Sequence, residues 1–127
     1  MQDSPQHILV VEDEEDMGVL LRRALERRGF RVDLAADGTE ALGVLGSRPY
    51  DLLITDLLMP RMDGLRLAEA ARRRWPLLPV ILITGLGDWE SYVRAMDLDV
   101  VGYLTKPLRM ADFLGLVERA LDPQLPA

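Results

Sequence analysis

The chain has no cysteine, one histidine and one lysine among its 127 residues. Without cysteine there is no disulfide and no thiolate, so the fold must rest on its core, as suits a reducing compartment. With His7 as the sole histidine, a histidine metal cluster or catalytic triad is excluded. His7 precedes the first apolar run and reads as an exposed residue. No run approaches the roughly 20 apolar residues of a membrane helix. The opening MQDSPQH has neither the basic patch nor the apolar stretch of a signal peptide. The expectation is a cytoplasmic domain without a membrane partner. Positive charge is scarce too: the net charge is -6, which argues against direct nucleic-acid binding. Arg72-Arg73-Arg74 reads as a solvated helix end that suits the helix dipole. The one lysine stands in YLTKPL, directly before a proline, while fourteen arginines supply the remaining basic charge.

A chain of this length fits one domain and can bury roughly two-thirds of its unfolded surface. Five short runs rich in Val, Ile and Leu stand out at Ile8–Val11, Val32–Ala35, Leu52–Thr55, Val80–Thr84 and Val100–Leu104. They are mostly continuous rather than alternating, as in strands covered on both faces. Between them lie helical patterns. The first carries Met17, Leu20, Leu21, Ala24 and Leu25, with Gly29 as its stop. The second opens at Asp37 as N-cap and carries Ala41, Leu42 and Leu45. The third follows Asp63-Gly64 and carries Leu65, Leu67, Ala68 and Ala71 before Pro76. A fourth starts near Asp88, and the last carries Met110, Phe113, Leu114, Val117 and Leu121. Strand and helix alternating five times implies an α/β fold, a parallel sheet wrapped by helices on both sides. Residues 1–122 form this domain, and 123–127 read as a tail or the start of a linker.

In such sheets ligands bind at the carboxyl ends of the strands. Glu12 and Asp13 follow the first run and Asp56 the third; the fourth ends at Thr84, and the fifth leads into Lys106. Three carboxylates at one edge repel each other unless a cation joins them, and hard oxygen ligands favour Mg²⁺. A carboxylate can also attack a phosphoryl group and become an aspartyl-phosphate. Lys106 would then supply a point charge and Thr84 a hydroxyl for phosphoryl oxygens. Each residue also has a plain reading. Glu12 to Asp16 suits a helix N-terminus, Asp56 a turn, and Tyr103 a half-buried strand position. Only their conjunction at one edge points to chemistry.

The segment ITDLLMPRMDG (54–64) resembles the phosphoacceptor segment of the CheY-like receiver domains of two-component response regulators. ILVVEDEEDM (8–17), ADGTEAL (36–42), ILITG (81–85) and YLTKP (103–107) are similar to further motifs of that family in order and spacing. The resemblance spans about His7 to Leu121. It implies a doubly wound, flavodoxin-like (βα)₅ receiver fold with strand order 2-1-3-4-5. It also implies that Asp56 accepts a phosphoryl group from a sensor histidine kinase. Mg²⁺ would be held by Glu12, Asp13, Asp56 and the backbone carbonyl of Leu58. Thr84 and Tyr103 become the switch pair, Lys106 the phosphate-binding lysine, and the peptide before Pro107 is expected to be cis. An X–Pro bond tolerates that isomer far better than any other. The domain would be a regulatory switch whose only reactions are its own phosphorylation and dephosphorylation. Its fourth helix, fifth strand and fifth helix would face an output partner or attached effector domain, transcriptional output included. A homodimer through that face is a further expectation. The kinase would dock on the first helix, near Met17 and Leu21, though periodicity also turns both toward the core. Leu58 and Leu86 flank the site and cannot orient an attacking water, so slow self-dephosphorylation is expected.

Some positions depart from the family pattern. Asp99-Val100 stands where Gly-Ala is frequent, Gly102 where Asp is frequent, and Tyr92 where Ala is common. Trp89 and Tyr92 read as ordinary packing aromatics, with a partner-binding patch as the alternative. Other functions fit less well. A phosphatase acting on small molecules lacks an acid at Leu58, and a degenerate receiver would not keep Asp13, Asp56, Thr84 and Lys106 together. A flavin-binding domain would not put Glu12-Asp13 where a phosphate loop belongs.

Overall fold

The computed structural model describes residues 5–59, 62–85 and 89–122. Five apolar segments form β1 (His7–Val11), β2 (Arg31–Ala35), β3 (Leu52–Asp56), β4 (Val80–Thr84) and β5 (Gly102–Thr105). They alternate with α1 (Glu15–Glu26), α2 (Gly38–Ser47), α3 (Gly64–Arg74), α4 (Trp89–Asp97) and α5 (Met110–Leu121). All strand pairings are parallel, in the order β2-β1-β3-β4-β5.

The continuous apolar character of β1, β3 and β4 follows from their position inside this sheet. Alternate residues enter two separate cores. Leu9, Val11, Leu53, Val80 and Leu82 face α2, α3 and α4 through Ala41, Leu45, Leu67, Ala68, Ala71 and Ala95. Ile8, Val10, Leu52, Ile54, Ile81 and Ile83 face α1 and α5 through Leu21, Leu25, Phe113 and Val117. Each fully buried Leu, Ile, Val or Phe contributes roughly 1.5–3 kcal/mol relative to exposure. The helix signals act as their chemistry dictates. Asp37 caps α2 by accepting from the Glu40 N–H at 2.8 Å, while Glu40 accepts from the Ala36 N–H at 2.8 Å. Asp63 caps α3 through the Arg66 N–H at 2.9 Å. Gly29 ends α1 with φ of 94°, a conformation that suits glycine.

Four expectations need correction. The last strand begins at Gly102 rather than Val100; Val101, at the sheet's edge, is exposed. Leu20 has helical spacing but is 52% exposed, because α1 packs through Leu21 and Leu25. Trp89 and Tyr92 are 76% and 40% exposed, since α4 buries only Ala95; they are not core aromatics. His7 is the first residue of β1 and half-buried. Its Nε2 lies 2.8 Å from Asp33 Oδ2 and its ring 4.5 Å from that of Tyr50. The Arg72-Arg73-Arg74 run occupies the last turn of α3, with the Arg74 guanidinium 4.6 Å over the Trp75 ring. Leu86, Gly87, Asp88 and the 123–127 tail lie outside the described residues.

Asp33 ties the β1 and β2 strands to the loop before β3. It accepts from the Tyr50 hydroxyl at 2.7 Å and faces Arg48 at 3.4 Å. Burial alone would raise its pKa, but Tyr50, His7 and Arg48 outweigh burial and hold it below the ordinary 3.8. A depressed carboxyl contributes stability above its unfolded pKa and loses it as pH falls through the folded value. Resistance to urea should therefore fall as pH drops below 3.8, with a smaller acid slope and lower neutral stability in Asp33→Asn. Parallel slopes in the two proteins would remove Asp33 as the cause.

At the amino edge of the sheet the Gln6 amide Nε2 donates to the carbonyl of Leu121 at 3.2 Å, so α5 ends beside the start of β1. Among the described residues no helix is long and apolar enough to cross a membrane.

Candidate functional site

The carboxyl ends of β1, β3, β4 and β5 bring the separated polar residues together. Glu12 follows β1 and continues its ladder, its N–H donating to Ala35 O at 3.0 Å. Asp56 is the last residue of β3 and pairs in register with Ile83. Thr84 ends β4 opposite Thr105, and the Lys106 N–H donates to Thr84 O at 2.8 Å. Backbone ladders thus position every side chain of the group.

Lys106 Nζ lies 2.9 Å from Asp56 Oδ2 and 3.5 Å from Glu12 Oε1. Carboxylate oxygens of Glu12, Asp13 and Asp56 lie within 4.8 Å of one another. Glu12, Asp56 and Thr84 are buried and Asp13 is exposed, leaving the cluster open to solvent on one side. The acidic run from Glu12 to Asp16 divides between its two readings: Glu15 and Asp16 sit in the first turn of α1, whereas Glu12 and Asp13 enter the cluster. Glu12 Oε2 also accepts from the Glu14 N–H at 3.1 Å.

Burial pushes the Glu12 carboxyl up to about 7, and the nearby Asp56 adds to the rise; the Glu14 N–H and Lys106 only partly counter it. Burial would lower Lys106, but its bonds to Asp56 and Glu12 prevail and hold the ammonium above its ordinary value. One ammonium thus stands among three carboxylates. The remaining negative charge favours a divalent cation, and an oxygen-only donor set fits Mg²⁺.

Around this group, Leu58 is 52% exposed. The Lys106–Pro107 peptide is cis. Tyr103 is half-buried with its hydroxyl shielded from solvent, and its ring meets Tyr92 edge-on at 5.4 Å. Tyr92 in turn stacks on Trp89 at 5.8 Å. Of the two residues considered for kinase contact, Leu21 is core and Met17 half-buried. Two features escaped the sequence reading. Gly64 abuts the Asp56 carbonyl, and the Thr55 hydroxyl donates to that same oxygen at 3.0 Å. The Asp-Gly pair was visible as a helix start, but nothing in it signals the backbone that Gly64 touches.

The family model described as the response regulator receiver domain matches residues 8–118. The chain belongs to this family. The receiver is 37% identical over 115 residues to the DNA-binding transcriptional regulator NtrC of Salmonella typhimurium, covering 91% of this chain and 24% of NtrC. It therefore spans about a quarter of that relative's length. Among solved structures it resembles a CheY-like receiver domain protein from Methanospirillum hungatei. The TM-score is 0.92 at 29% identity, over 95% of this chain and 97% of that one. It also resembles the response regulator TrrA of Thermotoga maritima, solved in complex with Mg(2+)-BeF. Here the TM-score is 0.84 at 31% identity, over 91% of this chain and 99% of that one. This chain is thus a receiver domain of the two-component response regulators, homologous to NtrC.

Proposed function

We propose that this receiver accepts a phosphoryl group on Asp56 from the phosphohistidine of a sensor histidine kinase. The observation that carries the reading is the 2.9 Å contact of Lys106 Nζ with Asp56 Oδ2 beside the Glu12–Asp13–Asp56 cluster. An Asp56 carboxylate oxygen attacks phosphorus, the phosphorus–nitrogen bond breaks, and the kinase imidazole leaves with the bonding pair. Glu12, Asp13, Asp56 and the Leu58 carbonyl would hold Mg²⁺. When bound, Mg²⁺ offsets the charge spread over the phosphoryl oxygens in the transition state. Lys106 gives up its contact with Asp56 for one with a phosphoryl oxygen, keeping a compact charge at the reacting centre.

The modification then biases a two-state element. The Thr84 hydroxyl is drawn to a phosphoryl oxygen, and Tyr103 repacks against its neighbours on α4. Trp89, Tyr92, Met96 and Val101 leave much apolar surface exposed, and Tyr92 joins that surface to the Tyr103 ring. That supports an α4–β5–α5 face read by an output partner, an attached effector domain or a second copy of the chain. Relatedness to NtrC favours a transcriptional output reached through such a partner, and the acidic net charge speaks against direct DNA contact. The receiver acts in the cytoplasm and comprises residues 1–122, with 123–127 a tail or the start of a linker. Its chemistry is confined to its own phosphorylation and dephosphorylation. The exposed apolar Leu58 beside Asp56 supports slow loss of the phosphoryl group.

Incubation with Mg²⁺ and a small acyl phosphate, followed by intact mass measurement, should reveal one added phosphoryl group. A protein that stays unmodified overturns the reading. Lys106→Arg keeps the charge but replaces a compact ammonium by a broad fork. Uptake should slow by about 100-fold, the lower end of what losing one oriented donor costs. A parental rate in that variant would remove Lys106 from the phosphate site.

A further inference from the structure

Four polar side chains are buried among the described residues: Glu12, Thr55, Asp56 and Thr84. Three belong to the site proposed above, and Thr55 has no part in it so far. As a packing residue Thr55 is a poor choice. Its neighbours on β3 are Leu52, Leu53 and Ile54, and valine would fill the same volume without burying a hydroxyl. The hydroxyl is engaged: Oγ1 donates to Asp56 O at 3.0 Å and lies 3.9 Å from the Met59 sulfur.

The start of α3 also lies against that carbonyl. A Cβ on Gly64 would stand 2.3 Å from Asp56 O, so the bare Cα of Gly64 and the Thr55 hydroxyl both crowd one oxygen. The same peptide's N–H, on Leu57, donates to Ile83 O at 2.7 Å. The next carbonyl, on Leu57, accepts from the Gly64 N–H at 2.8 Å. Both peptide planes between Asp56 and Leu58 are therefore tied, one end to β4 and the other to the start of α3. Beyond them stands the Leu58 carbonyl.

We infer that Thr55 is a positioning residue for phosphoryl uptake. By fixing the Asp56 carbonyl against α3, its hydroxyl sets the spacing between the Asp56 carboxylate and the Leu58 carbonyl, the two oxygens that must meet one cation. The inference rests on the roles assigned to Asp56 and Leu58 under the proposed function. Outer partners that orient a metal's ligands commonly change affinity by 10–100-fold when lost.

The test compares Thr55→Val, Thr55→Cys and Thr55→Ser with the parent. Valine removes the donor, cysteine keeps the volume with a weaker donor, and serine restores the hydroxyl. In metal-free protein, amide exchange at Leu57 and Gly64 should quicken in Thr55→Val and return toward parental values in Thr55→Ser. Calorimetric Mg²⁺ titration should show Kd rising about 10-fold in Thr55→Val, with slower uptake from an acyl phosphate and an intermediate effect in Thr55→Cys. Thermal midpoints need not follow that order, since a packing role alone would move stability and leave Kd unchanged. Parental Kd and uptake rate in the valine and cysteine variants would overturn the inference. A parent that binds no Mg²⁺ and takes up no phosphoryl group would instead sink the assignment of Asp56 and Leu58, and this inference with it.

Discussion

Asp56→Asn is expected to abolish phosphoryl uptake while leaving the fold in place. Asparagine has nearly the same shape, so the end of β3 and its pairing with Ile83 should persist. What disappears is the proposed nucleophile: an amide oxygen does not form a stable acyl phosphate. Removing a covalent nucleophile from another catalyst lowers its rate by on the order of 10⁶, so no adduct should be detectable. The substitution also removes one carboxylate from a group whose oxygens lie within 4.8 Å of one another. If the proposed metal site is right, Mg²⁺ binding should weaken in the same variant, because a neutral amide oxygen replaces one of its carboxylates. Intact mass after exposure to an acyl phosphate, with circular dichroism as the fold control, decides the matter. An adduct forming at the parental rate in Asp56→Asn would mean that a different residue accepts the phosphoryl group.

The second large effect concerns a residue without a side chain. In Gly64→Ala the new methyl group would sit 2.3 Å from Asp56 O, 2.9 Å from Leu57 Cα and 3.0 Å from the Asp56 carbonyl carbon. All three are backbone atoms, so no rotamer change can relieve the overlap; either the first turn of α3 or the end of β3 must shift. Overpacking of this kind typically costs about 1–3 kcal/mol, or a fall in midpoint of roughly 5–15 °C for a domain of this size. The displaced strand end carries Asp56, so phosphoryl uptake should suffer as well. Gly43→Ala supplies the contrast. A Cβ there meets nothing within 4 Å, on an exposed position of α2, and stability should rise by about 0.4–1 kcal/mol. Equal midpoints for the two variants would show that the close approach at Gly64 is tolerated.

The strands inside the sheet were legible because burial on both faces leaves an unbroken apolar signature, as in Leu52–Leu53–Ile54 and Ile81–Leu82–Ile83. The caps at Asp37 and Asp63 were equally plain, each preceding a helix by one residue. Errors gathered where the environment is one-sided. Val100 and Val101 look like strand residues, yet at the sheet's edge the pairing only begins at Gly102. Trp89 and Tyr92 look like core residues by composition, but a helix that buries a single alanine leaves them outside. His7 gave no sign of its contact with Asp33, because Asp33 lies twenty-six positions away on a neighbouring strand and the contact depends on register. The convergence of Glu12, Asp13, Asp56 and Lys106 could be read from strand ends alone. The cradle that Thr55 and Gly64 make for one carbonyl could not, since hydroxyl direction and backbone approach leave no trace in residue type.

The hydrogen bond from Gln6 to the end of α5 has a consequence for how news of a reaction could travel. Helix α5 has twelve residues and runs about 18 Å, from beside Lys106 to the far rim of the sheet. Polypeptide continuing past Asp122 would therefore set out from the rim opposite Asp56. Cargo held at that rim would sit away from the phosphoryl group. It would learn of the reaction second-hand, through a flank of the domain whose shape has changed, much as a bell at one end of a rope answers a pull at the other.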